Sequence, residues 1–150
     1  MDIKAFKMDG LGNDFVIVDR RKSEINLTKE QIIKIGDRNN VGFDQIIFIE
    51  KKVKDVLPIK IYNPDGIEVG ACGNGSRCIA YLISKENNQK TIKLEAQNKI
   101  LEAEILSEKL VRINMGLPEF KDNKSIPIKE GLNPRKVSID FIKKEYGNGI

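Results

Sequence analysis

The sequence predicts an α+β domain in which strands wrap around one buried helix. Three observations carry that reading. Short apolar segments of strand length recur along the chain, separated by clusters of Gly, Asn, Asp and Pro. One segment, Cys78 to Ile83, is apolar without a break, so a helix through it has no polar face and must be enclosed on most sides. After it come "TIKLEA", "ILEAEIL" and "KLVRINM", with short turns at "QNK" and "SEK", the pattern of a three-stranded meander.

Each element has its own local reason. "IKAFK" (3–7) and "FVIVD" (15–19) read as strands, and "MDGLGND" between them, rich in Gly, Asn and Asp, reads as a loop. "LTKEQIIKIGD" opens a helix: Thr28 and Gln31 have capping-box spacing, and Leu27 with Ile32 fits a hydrophobic staple. "QIIFIE" (45–50) is nearly all apolar, which marks a central strand covered on both faces. "IKIY" (59–62) is a further strand, and "NPDG" (63–66) is a turn in which Pro fixes φ and Gly permits a positive one. The buried helix is expected from about Gly75 to Glu86, and the first domain over residues 1–117. Beyond Leu117 the composition changes. "PEFKDNKSIPIKEGLNPRK" is polar and holds three of the five prolines, Pro118, Pro127 and Pro134. "VSIDFI" is strand-like, yet a final strand followed only by "YGNGI" cannot bury both its faces. Residues 118–150 are therefore expected to be a linker and the truncated start of a second domain.

Composition narrows the function. With 150 residues, 40% of them apolar and 32% charged, the chain can build a real core and is not disordered by composition. No apolar run approaches the roughly 18 residues of a membrane span, and "MDIKAFKMDG" lacks the regions of a signal peptide, so a cytoplasmic protein with no membrane partner is expected. The net charge of +4 is spread among alternating acids and bases with no aromatic interleaving, which argues against a nucleic-acid partner. The chain has no histidine. That excludes Ser-His-Asp and Cys-His nucleophilic machinery and His-containing zinc sites, and leaves Cys, Asp, Glu, Lys or Tyr as a general base.

The stretch "ACGNGSRCIAYLI" (71–83) carries the chemistry. Cys72 stands just before the expected N-terminus of the buried helix, where unpaired amides favour the thiolate form of a cysteine. Gly73, Asn74 and Gly75 leave the backbone amides of the turn unshielded, so they can hold an anion such as a carboxylate. A thiolate beside a carboxylate cradle suits removal of a proton α to a carboxylate. A free Cys beside a buried helix is more often simply core. That bland account is accepted for Cys78, inside the apolar segment, and stands level with the catalytic one for Cys72. Two cysteines with no further thiol or imidazole make too few ligands for zinc, and no Gly-Lys-Ser/Thr follows to make a phosphate loop.

"FKMDGLGNDFVIVD" (6–19), "GFDQIIFIE" (42–50), "IYNPDGIEVGACGNGSRC" (61–78) and, more weakly, "RINMG" (112–116) occur in one order and spacing. In these blocks the chain resembles the N-terminal half of diaminopimelate epimerase, from its start to about Gly116. The resemblance implies a mixed or antiparallel sheet curled around a central helix, one of two similar domains with the active site between them. It implies an isomerase that inverts the α-carbon of LL-diaminopimelate to the meso form in lysine and peptidoglycan precursor synthesis, with no pyridoxal phosphate, metal or other cofactor. Two cysteines act there, one on each face of the α-carbon. Cys72 falls on one of them. Asn13, Gln45 and Asn63 fall on substrate-binding positions, and Gly73 and Asn74 on the turn that holds the substrate carboxylate. The family often has His where Asp9 stands. Its second cysteine, in a Cys-Gly-Ser-Gly turn, has no counterpart in these 150 residues, so the chain alone is expected to be inactive. The family is often dimeric, which makes a homodimer the assembly to look for. Two other readings stay open: a proline-racemase-type enzyme, and a non-catalytic amino-acid-binding module.

Overall fold

A computed structural model of the chain describes residues 5–117. The expected linker and second-domain start at 118–150 lie outside the described residues, as do the first two positions of the expected opening strand. Every element below belongs to one compact unit that ends at Met115.

The elements are β1 (Ala5–Gly10), β2 (Asn13–Asp19), α1 (Lys29–Gly36), β3 (Gln45–Ile49), β4 (Val56–Tyr62), β5 (Glu68–Val69), α2 (Gly73–Asn87), β6 (Thr91–Ala96), β7 (Lys99–Ser107) and β8 (Leu110–Asn114). One mixed sheet runs β1-β2-β3-β4-β6-β7-β8, with β5 paired to β4. It curls around α2, which packs against β1, β2, β6, β7 and β8.

Two pairings are parallel, β2 with β3 and β4 with β6, and each is bridged by a helix. Because β3 and β4 are antiparallel, the first crossover runs between strands pointing one way and the second between strands pointing the other. Both step in the same direction across the sheet. Right-handed crossovers then put their helices on opposite faces. The cores bear this out. Phe15, Ile17, Ile47 and Ile49 pack with Ile79, Ala80 and Ile83 of α2, whereas the alternate residues Val16, Val18, Ile46 and Phe48 pack with Ile32 of α1. Covered on both faces, β3 is the central strand its apolar run predicts.

The capping box forms as read: Thr28 Oγ1 accepts from Gln31 N at 3.3 Å, and Gln31 Oε1 accepts from Thr28 N at 2.8 Å. Leu27 packs in the same cluster as Ile32, as the staple requires. The β6–β8 meander is also present, with a register shift in the β7–β8 ladder between Ile105 and Ser107.

Three expectations need correction. The loop over 8–14 is a tight hairpin. Ladder pairing continues to Gly10 and Asn13, and only Leu11 and Gly12 form the turn, with φ of +56° and +87°. Two left-handed residues give a turn whose twist suits adjoining strands, so the Asn and Asp read as loop formers belong to β2. β4 begins at Val56 rather than Ile59. It changes partner partway, pairing with β6 at Val56–Pro58 and with β3 at Ile59–Tyr62. Pro58 lacks an N–H, but its carbonyl accepts from Glu50 N at 2.9 Å. Finally, α2 starts at Gly73, so Gly73, Asn74 and Gly75 are its first turn and Cys72 its N-cap. Its far end closes on Asn88, in the left-handed region at φ +58°.

Candidate active site

Strand direction explains why distant segments meet. β2 and β3 start, and β4 ends, at the same end of the sheet, and α2 starts there too. Asn13 opens β2, Gln45 opens β3, Asn63 follows the last residue of β4, and Cys72 caps α2. Phe15, two residues into β2, is the register partner of Gln45.

The side chains meet in hydrogen-bonded pairs. Asn74 Nδ2 donates to Asn13 Oδ1 at 2.6 Å, and Gln45 Nε2 donates to Asn63 Oδ1 at 3.2 Å. The Asn63 backbone is fixed by its turn: its N–H donates to Ile67 O, and its carbonyl accepts from Gly66 N at 2.9 Å. Gly66 takes φ +74°, as the "NPDG" reading expects. Cys72 Sγ accepts from Gly75 N at 3.3 Å, and Cys72 O accepts from Ser76 N at 2.8 Å. Among the described residues the backbone N–H groups of Gly73 and Asn74 have no protein acceptor, leaving two donors open at a helix N-terminus. The structure thus brings Cys72, Gly73, Asn74 and Asn13 together, with the Gln45–Asn63 pair on the neighbouring strand ends.

This proximity depends on Gly75. A Cβ there would lie 2.5 Å from Ile47 Cδ1, 3.4 Å from Phe15 Cε1 and 3.4 Å from Cys72 Sγ. The absent side chain lets the helix start sit directly on β2 and β3.

Behind Asn13 stands an ionic cluster that the sequence reading did not single out. Arg38 donates to both Asp14 oxygens (2.7 and 2.8 Å) and to Asp44 Oδ1 (2.7 Å). Lys7 donates to Asp14 Oδ2 at 2.6 Å and to the Gly42 carbonyl. Asp14 and Asp44 exchange backbone-to-carboxylate bonds, both 3.0 Å. The Arg38 fork, with Lys7 beside it, holds the Asp14 carboxyl well below the usual carboxylate range. On the helix side, Arg77 donates to Asn74 Oδ1. Adjacency to Asn13 and Gln45 could have flagged Asp14 and Asp44 alone; Lys7, Arg38 and Arg77 carry no such signal.

The cysteines differ. Cys72 is half-buried and Cys78 buried, and both are free thiols. Burial pushes the Cys78 thiol up to about 11, and its Sγ lies 3.6 Å from the Asp9 carbonyl. Cys78 is therefore a protonated core thiol at neutral pH. Iodoacetamide should alkylate Cys72 readily and Cys78 slowly in the folded protein, read by peptide mapping; equal labelling would remove the distinction.

A cavity of about 340 Å³ lies at the other end of α2, lined by Leu57, Ile83, Asn87 and Arg21 among others. Arg21 is already committed to Asp19 and Glu86, and the cavity contributes nothing to the site. Among the described residues, no cluster of three or more His, Cys, Asp or Glu could hold a metal, and no helix is long and apolar enough to cross a membrane.

The fold defines a class: domains built from a mixed sheet curled around a central helix. Two solved structures share the fold. A phenazine biosynthesis protein of the PhzF family from Enterococcus faecalis aligns with a TM-score of 0.53 at 17% identity, over 70% of this chain and 41% of that one. A Pseudomonas aeruginosa protein described as a predicted epimerase aligns with a TM-score of 0.53 at 13% identity, over 68% of this chain and 38% of that one.

Sequence goes further. The family model for diaminopimelate epimerase matches residues 5–121. Diaminopimelate epimerase of Pelagibacter ubique is 46% identical over 144 residues, 96% of this chain and 52% of that protein. The Coxiella burnetii enzyme of the same name (strain Dugway 5J108-111) is 37% identical over 146 residues, 93% of this chain and 53% of that protein. The chain belongs to the diaminopimelate epimerase family. It spans about half the length of these curated relatives.

Proposed function

We propose that this chain forms the first lobe of a diaminopimelate epimerase, which interconverts the LL and meso forms by moving a proton at one α-carbon. The observation that carries the reading is Cys72 at the N-cap of α2, beside the open N–H groups of Gly73 and Asn74 and the amide of Asn13. The Gly75 N–H donates to the Cys72 sulfur at the first turn of the helix.

The chemistry follows from those groups. Gly73 and Asn74 hold the substrate carboxylate, placing the α-carbon within reach of Cys72. The Cys72 thiolate takes the α-proton and becomes a thiol. The electron pair of the broken C–H bond stays on the α-carbon and spreads into the carboxylate, where the same two donors stabilise the growing charge. Asn13, Gln45 and Asn63 bind and orient the remaining polar groups. Return of a proton to the opposite face inverts the centre and requires an acid on that face. Cys78 does not qualify, being buried in the same helix as the base and held in the core. The acid comes from the part of the enzyme beyond this lobe, as a second cysteine. No cofactor is needed, because the carboxylate and its donors take up the charge. The reaction belongs to lysine and peptidoglycan precursor synthesis, a cytoplasmic setting, with a homodimer as the expected assembly.

The test uses the product of the complete coding sequence. It should convert LL-diaminopimelate to the meso form and, in deuterated water, place deuterium at the α-carbon of the product. Turnover of proline instead would move the enzyme to the proline-racemase type. Binding of diaminopimelate with no α-hydrogen exchange would leave a binding module and end the epimerase reading.

A further inference from the structure

Asn13 is held by a chain of hydrogen bonds whose direction is fixed at both ends. Arg77 donates to Asn74 Oδ1, Asn74 Nδ2 donates to Asn13 Oδ1 at 2.6 Å, and Asn13 Nδ2 donates to Asp44 Oδ2 at 3.2 Å. A guanidinium can only donate and a carboxylate can only accept. Turning the Asn13 amide over would set its oxygen against the Asp44 carboxylate and its NH2 against the NH2 of Asn74, two conflicts at once. Asp44 is itself fixed, its Oδ1 taken by Arg38 at 2.7 Å and its Oδ2 shared with the Asp14 backbone N–H at 3.0 Å. Each of the two asparagine amides is left with one unused N–H, on a nitrogen whose position the relay dictates.

We infer that Asp44 is a positioning residue: by accepting from Asn13 it sets which end of that amide meets the substrate, and through Asn13 it orients Asn74. The side chain of Asp44→Asn cannot do this without setting its NH2 against a donor. All its neighbours in the cluster donate, so its own NH2 would face either Arg38 or the Asn13–Asp14 pair. The catalytic consequence rests on the proposed epimerase function, whereas the orientation of the two amides does not.

The experiment has two arms on the product of the complete coding sequence. In the first, side-chain amide signals are followed by NMR on 15N-labelled protein. Asp44→Asn should shift the signals of both Asn13 and Asn74 while leaving those of Gln45 and Asn63 in place; unmoved Asn13 and Asn74 signals overturn the relay. In the second, kcat/KM on LL-diaminopimelate is measured. Asp44→Asn should lower it about tenfold to a hundredfold, and combining it with Asn13→Ala should cost nothing beyond Asn13→Ala alone, because both act through one amide. A merely structural role would instead give additive losses. Asp44→Glu keeps the charge facing Arg38 but displaces the acceptor. It should show the same fall, and it serves as the variant if Asp44→Asn does not fold. Turnover that depends on Cys72 and stays within about twofold in the Asp44 variants overturns the positioning role alone. A parent protein without epimerase activity, or one that keeps it in Cys72→Ala, overturns the functional reading and with it the catalytic consequence.

Discussion

Replacing Cys72 by alanine in the product of the complete coding sequence is expected to lower conversion of LL-diaminopimelate by about a thousandfold, within the range a positioned base contributes. The fold should survive. Cys72 is half-buried at the N-cap, and the bond lost is a thiol accepting one amide at 3.3 Å, so the stability cost should stay within about 1 kcal/mol. Cys78→Ala makes the contrast. It trims a core side chain without touching the proposed cradle, so turnover should persist with only a lower melting temperature. Conversion by Cys72→Ala at a rate near the parent's, with the fold confirmed by circular dichroism, would show that another group takes the proton.

Gly75→Val should be the most damaging single change to the helix start. Its Cβ would fall 2.5 Å from Ile47 Cδ1, and Ile47 is fully buried within the α2-side core, so it has nowhere to retreat. The added methyl groups crowd Phe15 and Cys72 as well. Overpacking of this kind costs about 1–3 kcal/mol, or a fall on the order of 10 °C in melting temperature for a unit of this size. The gain in helix propensity over glycine, about 0.5 kcal/mol, offsets little. Relief comes only by lifting the start of α2 off β2 and β3, which carries Cys72 and Asn74 away from Asn13. Activity should therefore fall further than stability alone dictates. Gly12→Ala is the control: it also replaces a glycine, at φ +87° in the hairpin turn, but meets nothing within 4 Å and should cost only about 1 kcal/mol of backbone strain. If Gly75→Val melts with the parent and keeps its turnover, close contact at Gly75 is not what places the cysteine.

What the sequence reveals of this fold depends on how local each signal is. The apolar run from Cys78 to Ile83 and the alternation through β6–β8 state their burial directly, and both elements form there, although α2 starts two residues earlier than expected. The β1–β2 hairpin is masked in the sequence because Asn13 and Asp14 are turn formers by type but strand residues by register, and only the partner strand reveals this. β5 has two residues, too few for any periodic signal, and Pro58 disguised the start of β4. Cys72 stood out because glycines surround it, whereas Asn13, Gln45 and Asn63 could be singled out only through resemblance to a family. The Lys7–Asp14–Arg38–Asp44 cluster was hidden because its members are ordinary charges until parallel pairing of β2 and β3 sets Asp14 beside Asp44.

The two helix-bridged parallel pairings also shape how the chain is made. During synthesis β1 to β4 emerge before α2. Phe15, Ile17, Ile47 and Ile49 are all fully buried in the finished unit, against a helix that has yet to leave the ribosome. The hairpin and meander close through short turns, but each parallel pairing must first close a long loop, the slower and entropically costlier event. A nascent chain stalled between Tyr62 and Ile83 would hold a sheet with one bare apolar face, a natural client for chaperones and a seed for aggregation. One helix therefore completes the proposed catalytic site and also removes the hazard of the unfinished fold.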